Sequence, residues 1–383
     1  MEEVEIQNKM ESRGKHHRRD TGYAWVVCAS SFLIYMICDG IGMSFGVLVP
    51  YVKKQMNAST SEAAFVGSLH IGVCYLVAPI NLIIAKAIGF RKVSVIGAFI
   101  VTTALIVCGS MKSLLSITLM YGVVASVGIC MIITVALLAV NEWFDQKRAL
   151  ANSIVYSGCS VGYFVSAPVL TYVVENYGLQ AGFLLEGFVT FLCILLGFLL
   201  KTPINTENKF KKETSQENGT FLRRLQKFIF NFMDREILLN RGFVMYIIGR
   251  IFSCFSLLVP ILFVPSLMLD LGKSHVEASL AITILGIANL VGRLSCGILD
   301  KFPAWPIKVN ALVCLGSAGL LTVMPHCKNV YLMYIACGAY GFITAAMVAL
   351  APSMIVLLIG PEKVGPGLGI DMFIYGLMSL AGK

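Results

Sequence analysis

Long apolar stretches broken by short polar interruptions run through almost the whole chain, and their length decides the architecture first. Such blocks lie at 24–50, 62–85, 92–111, 114–140, 150–174, 180–200, 242–269, 277–299, 306–326 and 330–359, and an eleventh begins near 366 and is cut at Lys383. Runs of about 18 or more apolar residues can bridge the roughly 30 Å of bilayer hydrocarbon. In lipid every backbone N–H and C=O has to be satisfied within its own segment, and these runs are too long and too uniformly apolar for barrel strands. The pattern therefore predicts an all-α, polytopic membrane protein. The longest polar interruption, 201–241, follows the sixth block. The chain accordingly divides into an N-terminal tail (1–23), a six-helix bundle (24–200), a central loop (201–241) and a second bundle (242–383) expected to be incomplete within its eleventh span.

Composition agrees: 57% of the 383 residues are hydrophobic and 13% charged, about half the charged share of a soluble domain. The 12 cysteines stand singly in apolar segments with no CxxC pair, so they read as small hydrophobes, and no metal or cofactor is expected. The first 22 residues mix Glu2, Glu3, Glu5 and Glu11 with five Lys and Arg and hold no apolar core, which predicts no cleavable signal or transit peptide.

Charge then orients the spans. The N-terminal tail, the 86–92 turn, the 141–149 loop, the central loop, the 300–308 turn and Lys363 hold 22 Lys and Arg, against five (Lys53, Lys54, Lys112, Lys273, Lys328) in the alternate loops. The positive-inside rule puts the N-terminus and the central loop in the cytoplasm. The net charge of +9 is then a matter of topology and of contact with anionic membrane lipid, and nucleic acid is not an expected partner. The sequon at Asn57 faces outward in this topology, while that at Asn218 faces the cytoplasm.

Six spans, a cytoplasmic loop and a second set form the layout of the major facilitator fold, whose two six-helix bundles are parallel repeats around a midplane site. Two motifs narrow this. At the mouth of span one, Asp20-Thr21-Gly22-Tyr23-Ala24-Trp25 resembles the acidic-Gly-Gly-Trp-Gly-Trp entry signature of the monocarboxylate transporter family. Before span five, Trp143-Phe144-Asp145-Gln146-Lys147-Arg148-Ala149-Leu150-Ala151-Asn152 and then Gly158-Cys159-Ser160-Val161-Gly162 resemble that family's second signature. The resemblance extends from about residue 20 to the end, outside the central loop. Thr21, Ala24 and Ser153 stand where the family commonly has Gly. A plainer physical role accompanies the signatures: Tyr23 and Trp25 suit headgroup depth, Asp20 suits a helix cap, and Lys147 and Arg148 suit positive-inside anchors as well as a cytoplasmic gate.

Ionisable groups inside hydrocarbon are expensive and mark pathways. Arg293 lies about 16 residues into span eight, on the cytoplasmic side of its middle at about 1.5 Å per residue. A guanidinium can grip a carboxylate through two parallel N–H bonds. The resemblance implies the same role, since in that family an Arg at this place binds the substrate carboxylate, with an Asp one turn earlier. Here that position is Asn289, on the same helix face. Asp39 sits near the middle of span one, where a lone carboxylate is a candidate proton carrier or a counter-charge to an amino group. Four residues on, where lactate-type members place a Lys, stands Met43. Arg250, near the start of span seven, is expected to snorkel to the cytoplasm. Asp371 in span eleven is a second proton-coupling candidate and a candidate partner for Arg293. The expected site set is Arg293, Asn289, Asp39 and Met43, with Asp20, Gly22, Trp25, Lys147, Arg148 and Gly158 at the signatures.

The resemblance implies a secondary active carrier in the plasma membrane, moving a small organic anion or zwitterion by alternating access, with protons as candidate co-substrates. Asp39 added and the Lys lost favour a larger or amine-bearing substrate over plain lactate. Some members of that family need a single-span immunoglobulin-like companion to reach the surface, a candidate partner here. The alternative, raised by the cut at Lys383, is a transport-incompetent form acting through other membrane proteins. No HExxH, phosphate-cradling Gly loop or Ser/His/Asp cluster supports an enzyme.

Overall fold

The computed structural model describes residues 20, 22–144, 147–203, 235–299, 305–327, 329–360 and 364–381. Each predicted apolar block is a helix: α1 (Gly22–Met56), α2 (Thr60–Ile88), α3 (Phe90–Gly109) and α4, which runs over Leu114–Trp143. The fifth and sixth blocks form one helical stretch, Arg148–Leu199, interrupted at Gly178. Its limbs, 148–177 and 179–199, are α5 and α6. Gly178 has φ 84° and ψ 171°, a conformation that L side chains rarely adopt and that reverses the chain without an intervening loop. Beyond the central loop come α7 (Arg241–Asp270), α8 (His275–Leu299), α9 (Trp305–Val323), α10 (Val330–Ala349, continued as Ala351–Ile359) and α11 (Val364–Ala381). Among the described residues, eight helices are long and apolar enough to cross a membrane, the Gly178 stretch counting as one.

The second and eighth helices begin with the same device. Ser59 Oγ accepts from the Glu62 N–H (3.1 Å) while Glu62 Oε2 accepts from the Ser59 N–H (2.8 Å). Ser274 and Glu277 repeat the exchange at α8, at 3.2 and 2.8 Å. This reciprocal capping box satisfies two backbone donors that the first turn leaves open. The two helices that carry it are each the second of their set, so the repeat is visible in local chemistry.

Helices α1–α6 pack on one another, with α1 against α5 and α3 against α6, while α8 packs on α10 and α7 on α11. The two sets meet along α5/α8, α2/α11 and α1/α7. Ser379 Oγ of α11 donates to the Ser68 carbonyl of α2 (3.0 Å), and Tyr51 at the end of α1 stacks on His275 at the start of α8 (4.7 Å, 27°). Large apolar side chains such as Phe99, Phe188, Phe252 and Leu315 are exposed on the outer faces. Facing hydrocarbon they cost nothing, whereas in water they would form extensive sticky patches.

Candidate functional site

The α5/α8 seam lies over α1, and the local sequence explains how closely these helices approach. A Cβ on Gly158 would run into the Phe32 carbonyl of α1, and one on Gly162 into the Met36 carbonyl. Two glycines four residues apart thus let α5 lie directly on the α1 backbone. The next residue after Gly158, Cys159, is thereby turned onto Asp39, and its thiol donates to Asp39 Oδ2. The charge of Arg293 on α8 acts on both Cys159 and Asp39. A carboxylate from the first set, bonded by a thiol, therefore lies in the field of a guanidinium from the second.

Arg293 is held rigidly. Its Nε–H donates to Asn289 Oδ1 (2.9 Å) and its Nη1 to the Tyr156 carbonyl (2.6 Å). Asn289 is itself fixed from two further helices: Ser160 Oγ of α5 donates to its Oδ1 (2.9 Å) and its Nδ2 donates to the Gly341 carbonyl of α10 (3.0 Å). Arg293 is 9% exposed and Asn289 5%, while Asp39 is half-buried although it lies in the middle of a 35-residue helix. Met43, one turn beyond Asp39, is buried, so α1 brings no cation to this centre. Aromatic rings surround it: Tyr35 meets Tyr156 edge-on at 5.6 Å and Tyr75 meets Tyr375 edge-on at 4.7 Å. Tyr35, Tyr75, Tyr156 and Tyr163 all lie within electrostatic reach of Asp39.

Two sequence expectations are corrected. Asp371 does not pair with Arg293; its partner is Arg250, at 2.7 Å (Nε to Oδ1) and 3.1 Å (Nη2 to Oδ2). Arg250 accordingly does not snorkel. It is 8% exposed and inserted between α10 and α11, where it also lies 5.8 Å from the Tyr375 ring centroid. The reason is packing: α7 lies against α11, so a buried carboxylate is nearer to the guanidinium than water is.

The signature residues assemble elsewhere, at the ends of α1, α4, α5 and α6. The Asp20 N–H donates to the Trp143 carbonyl (3.0 Å), and Asp20 Oδ1 accepts from the Lys147 N–H (3.2 Å). Tyr23 packs on Trp143 at 5.0 Å, and Trp25 meets Phe144 edge-on at 5.1 Å with Lys147 Nζ 5.9 Å above the indole. Tyr23 Oη donates to the Leu199 carbonyl (2.8 Å) and Trp143 Nε1 to the Lys201 carbonyl (2.8 Å). The two motifs, more than a hundred residues apart, form one clasp within the first set of helices. Gly22 opens α1. Thr21, Asp145 and Gln146 lie outside the described residues, as does the side chain of Arg148.

Sequence reasoning gave no role to four residues inside the spans. Cys159 stands in the second signature but reads as a small hydrophobe, and Tyr156 as an ordinary residue of an apolar block. His70 on α2 is buried, its Nδ1 2.9 Å from the Tyr121 carbonyl and 2.8 Å from Ser126 Oγ. Glu186 on α6 is a carboxyl group buried in the first set. Its single acidic letter inside a hydrophobic run was the available signal.

The sequence pattern of the Major Facilitator Superfamily matches residues 29–382. Monocarboxylate transporter 2 of Mesocricetus auratus is 23% identical over 368 residues, which are 93% of this chain and 75% of that protein. Monocarboxylate transporter 3 of Rattus norvegicus is likewise 23% identical, covering 95% and 73%. Among solved structures, a D-xylose-proton symporter superposes with a TM-score of 0.69 at 15% identity over 94% of this chain and 90% of its own. A peptide transporter in complex with alafosfalin gives 0.71 at 12%, over 93% and 87%. These structures share the fold.

Proposed function

This chain belongs to the Major Facilitator Superfamily, and from that premise we propose that it carries a small organic carboxylate or zwitterion across the plasma membrane by alternating access. It is a multi-pass membrane transporter homologous to monocarboxylate transporters. The observation that supports the finer reading is that Asp39, bonded by the Cys159 thiol, lies in the field of Arg293 from the opposite set of helices. Such a pair is costly in hydrocarbon and is retained where it faces a pathway. Arg293 is the anchor for the carboxylate. It remains charged at any accessible pH, and Asn289 aims it. Asp39 supplies the opposite charge, and the tyrosines around it offer ring faces to a cationic group. A substrate with a carboxylate at one end and an ammonium at the other answers both.

A site shared by the two sets is what alternating access requires, because rocking one set against the other then exposes it to one side at a time. The Lys and Arg bias puts the Asp20–Trp143 clasp on the cytoplasmic side. The clasp ties helices within one set, so it serves to move α1, α4, α5 and α6 as a body.

The test is uptake of radiolabelled carboxylates and zwitterions into vesicles at two pH values, with Arg293→Ala as control. Uptake by the wild type that disappears in the variant is the expected result. Uptake retained in Arg293→Ala refutes the site.

A further inference from the structure

The first set of helices contains a second polar centre, remote from Arg293 and unused by the mechanism above. Glu186 on α6 is 4% exposed, and among the described residues neither of its carboxyl oxygens has a hydrogen-bond partner. The titratable groups that feel its charge are Cys108 of α3 and Tyr121 of α4, with His70 of α2 packed on the Tyr121 ring at 4.7 Å. None of these is a standing cation that could neutralise a carboxylate. Asp39, by contrast, has a thiol donor and the charge of Arg293 beside it.

A carboxylate taken out of water without a partner or a hydrogen bond costs far more than a neutral acid in the same place, so the group neutralises instead. Orphaned buried polar atoms of this kind are rare and call for an explanation.

The surroundings connect this carboxyl group to the helix that bears Asp39. Tyr121, fully buried, packs between Phe45 of α1 (4.7 Å) and Phe183 of α6 (5.9 Å), and its hydroxyl donates to the Ile41 carbonyl (3.2 Å), two residues from Asp39. Tyr121 lies in a six-residue π-helical segment, Met120–Ala125. Wide turns of this kind appear mostly as single interruptions of α-helices and often at functional sites. Ser126 Oγ has its own acceptor in the Gly122 carbonyl (2.8 Å), so the His70 Nδ1 carries the proton shared with Tyr121 O and Ser126 Oγ.

We propose that Glu186 is an intramembrane proton-binding site, loaded as the neutral acid while α1 packs on Tyr121 and emptied when that packing opens. On emptying, the carboxyl O–H bond breaks and the proton passes to water entering between α1, α4 and α6. Its use in driving substrate movement rests on the transport reading above, whereas proton binding itself does not.

Infrared difference spectra of the full chain in lipid nanodiscs, between acidic and alkaline buffer, read the C=O stretch of a protonated carboxyl group directly. The wild type is expected to show a titrating band that is lost in Glu186→Gln and kept in Asp39→Asn. If Glu186→Gln keeps every titrating carboxyl band, the proposal is overturned. Should that variant fail to fold, Glu186→Asp keeps the acid on a shorter stem and is expected to shift the band, and an unshifted band overturns it equally. In vesicles, using whichever of lactate or glycine betaine the wild type takes up, Glu186→Gln is expected to lose stimulation by a pH gradient while retaining exchange of compound for compound. Undiminished stimulation refutes the coupling role. Absence of uptake by the wild type refutes the transport reading and leaves the infrared result to decide proton binding.

Discussion

Arg250 and Asp371, 121 residues apart, form a two-bonded ion pair buried between α7 and α11, with the Tyr246 hydroxyl donating at 3.0 Å to Asp371 Oδ1, the oxygen that also accepts from Arg250 Nε. Arg250 Nη1 also reaches the Met347 carbonyl of α10 at 3.4 Å. The pair fastens three helices of the second set at one point.

Removing one partner leaves the other charge buried without compensation, which costs roughly 3–5 kcal/mol, whereas replacing both with apolar groups of similar volume is often neutral. Asp371→Asn and Arg250→Met are each expected to lower the thermal unfolding midpoint in detergent strongly. The double variant Arg250→Met with Asp371→Leu is expected to recover most of the loss. Equal damage from the double and the single variants would show that the pair does more than hold the helices.

Asn289 acts through Arg293. Hydrogen bonds to charged groups contribute about 1.5–3 kcal/mol, so Asn289→Ala is expected to raise KM by roughly tenfold or more, with a smaller effect on kcat. Asn289→Gln, which keeps the amide on a longer stem, is expected to restore part of the affinity. Uptake kinetics across a substrate series read the split, and an unchanged KM in Asn289→Ala would refute the positioning role.

Much of this arrangement was legible in the chain before any coordinates. Apolar blocks gave helices in the right places, and the four-residue spacing of Asn289 and Arg293 put both on one face of α8. What escaped was whatever depends on residues distant in sequence. The partner of Asp371 could not be read because nothing local distinguishes Arg250 from Arg293 as a candidate. Cys159 joins the site only because Gly158 and Gly162 let α5 settle on α1, and a thiol amid apolar letters carries no signal of that. Glu186 and the π-helical segment at Tyr121 were hidden for the opposite reason: the surrounding hydrophobicity dominated the reading of each block.

The α1–α5 contact makes its own prediction. A methyl group at Gly162 would strike the Met36 carbonyl, and backbone cannot yield as a side-chain tip can. Overpacking of this kind costs about 1–3 kcal/mol, so Gly162→Ala is expected to destabilise the chain and to move Cys159 away from Asp39. Uptake is expected to fall more than the unfolding midpoint alone would explain. Wild-type stability together with wild-type uptake would show that the two helices separate freely at this point.

The clasp of the two signatures can be loosened one bond at a time. Trp143→Phe keeps a ring against Tyr23 but removes the Nε1–H bond to the Lys201 carbonyl. A neutral hydrogen bond contributes about 0.5–1.5 kcal/mol, so the expected effect is a small fall in stability with substrate affinity unchanged. A marked change in KM would show that this end of the molecule communicates with the Arg293 site.

The charge pair at the centre separates two classes of substrate, and Asp39 is the residue that decides between them. A plain carboxylate needs only Arg293, so neutralising Asp39 leaves its main contact intact. A zwitterion also places an ammonium near Asp39, and losing one partner of a close charge pair costs about 2–5 kcal/mol. Asp39→Asn is therefore expected to reduce uptake of betaine-like compounds and amino acids far more than that of lactate. Competition between the two classes, measured as a ratio within each variant, removes differences in protein abundance between samples. An equal fall for both classes would assign Asp39 to a step common to all substrates, and an unchanged ratio with unchanged rates would remove it from the site.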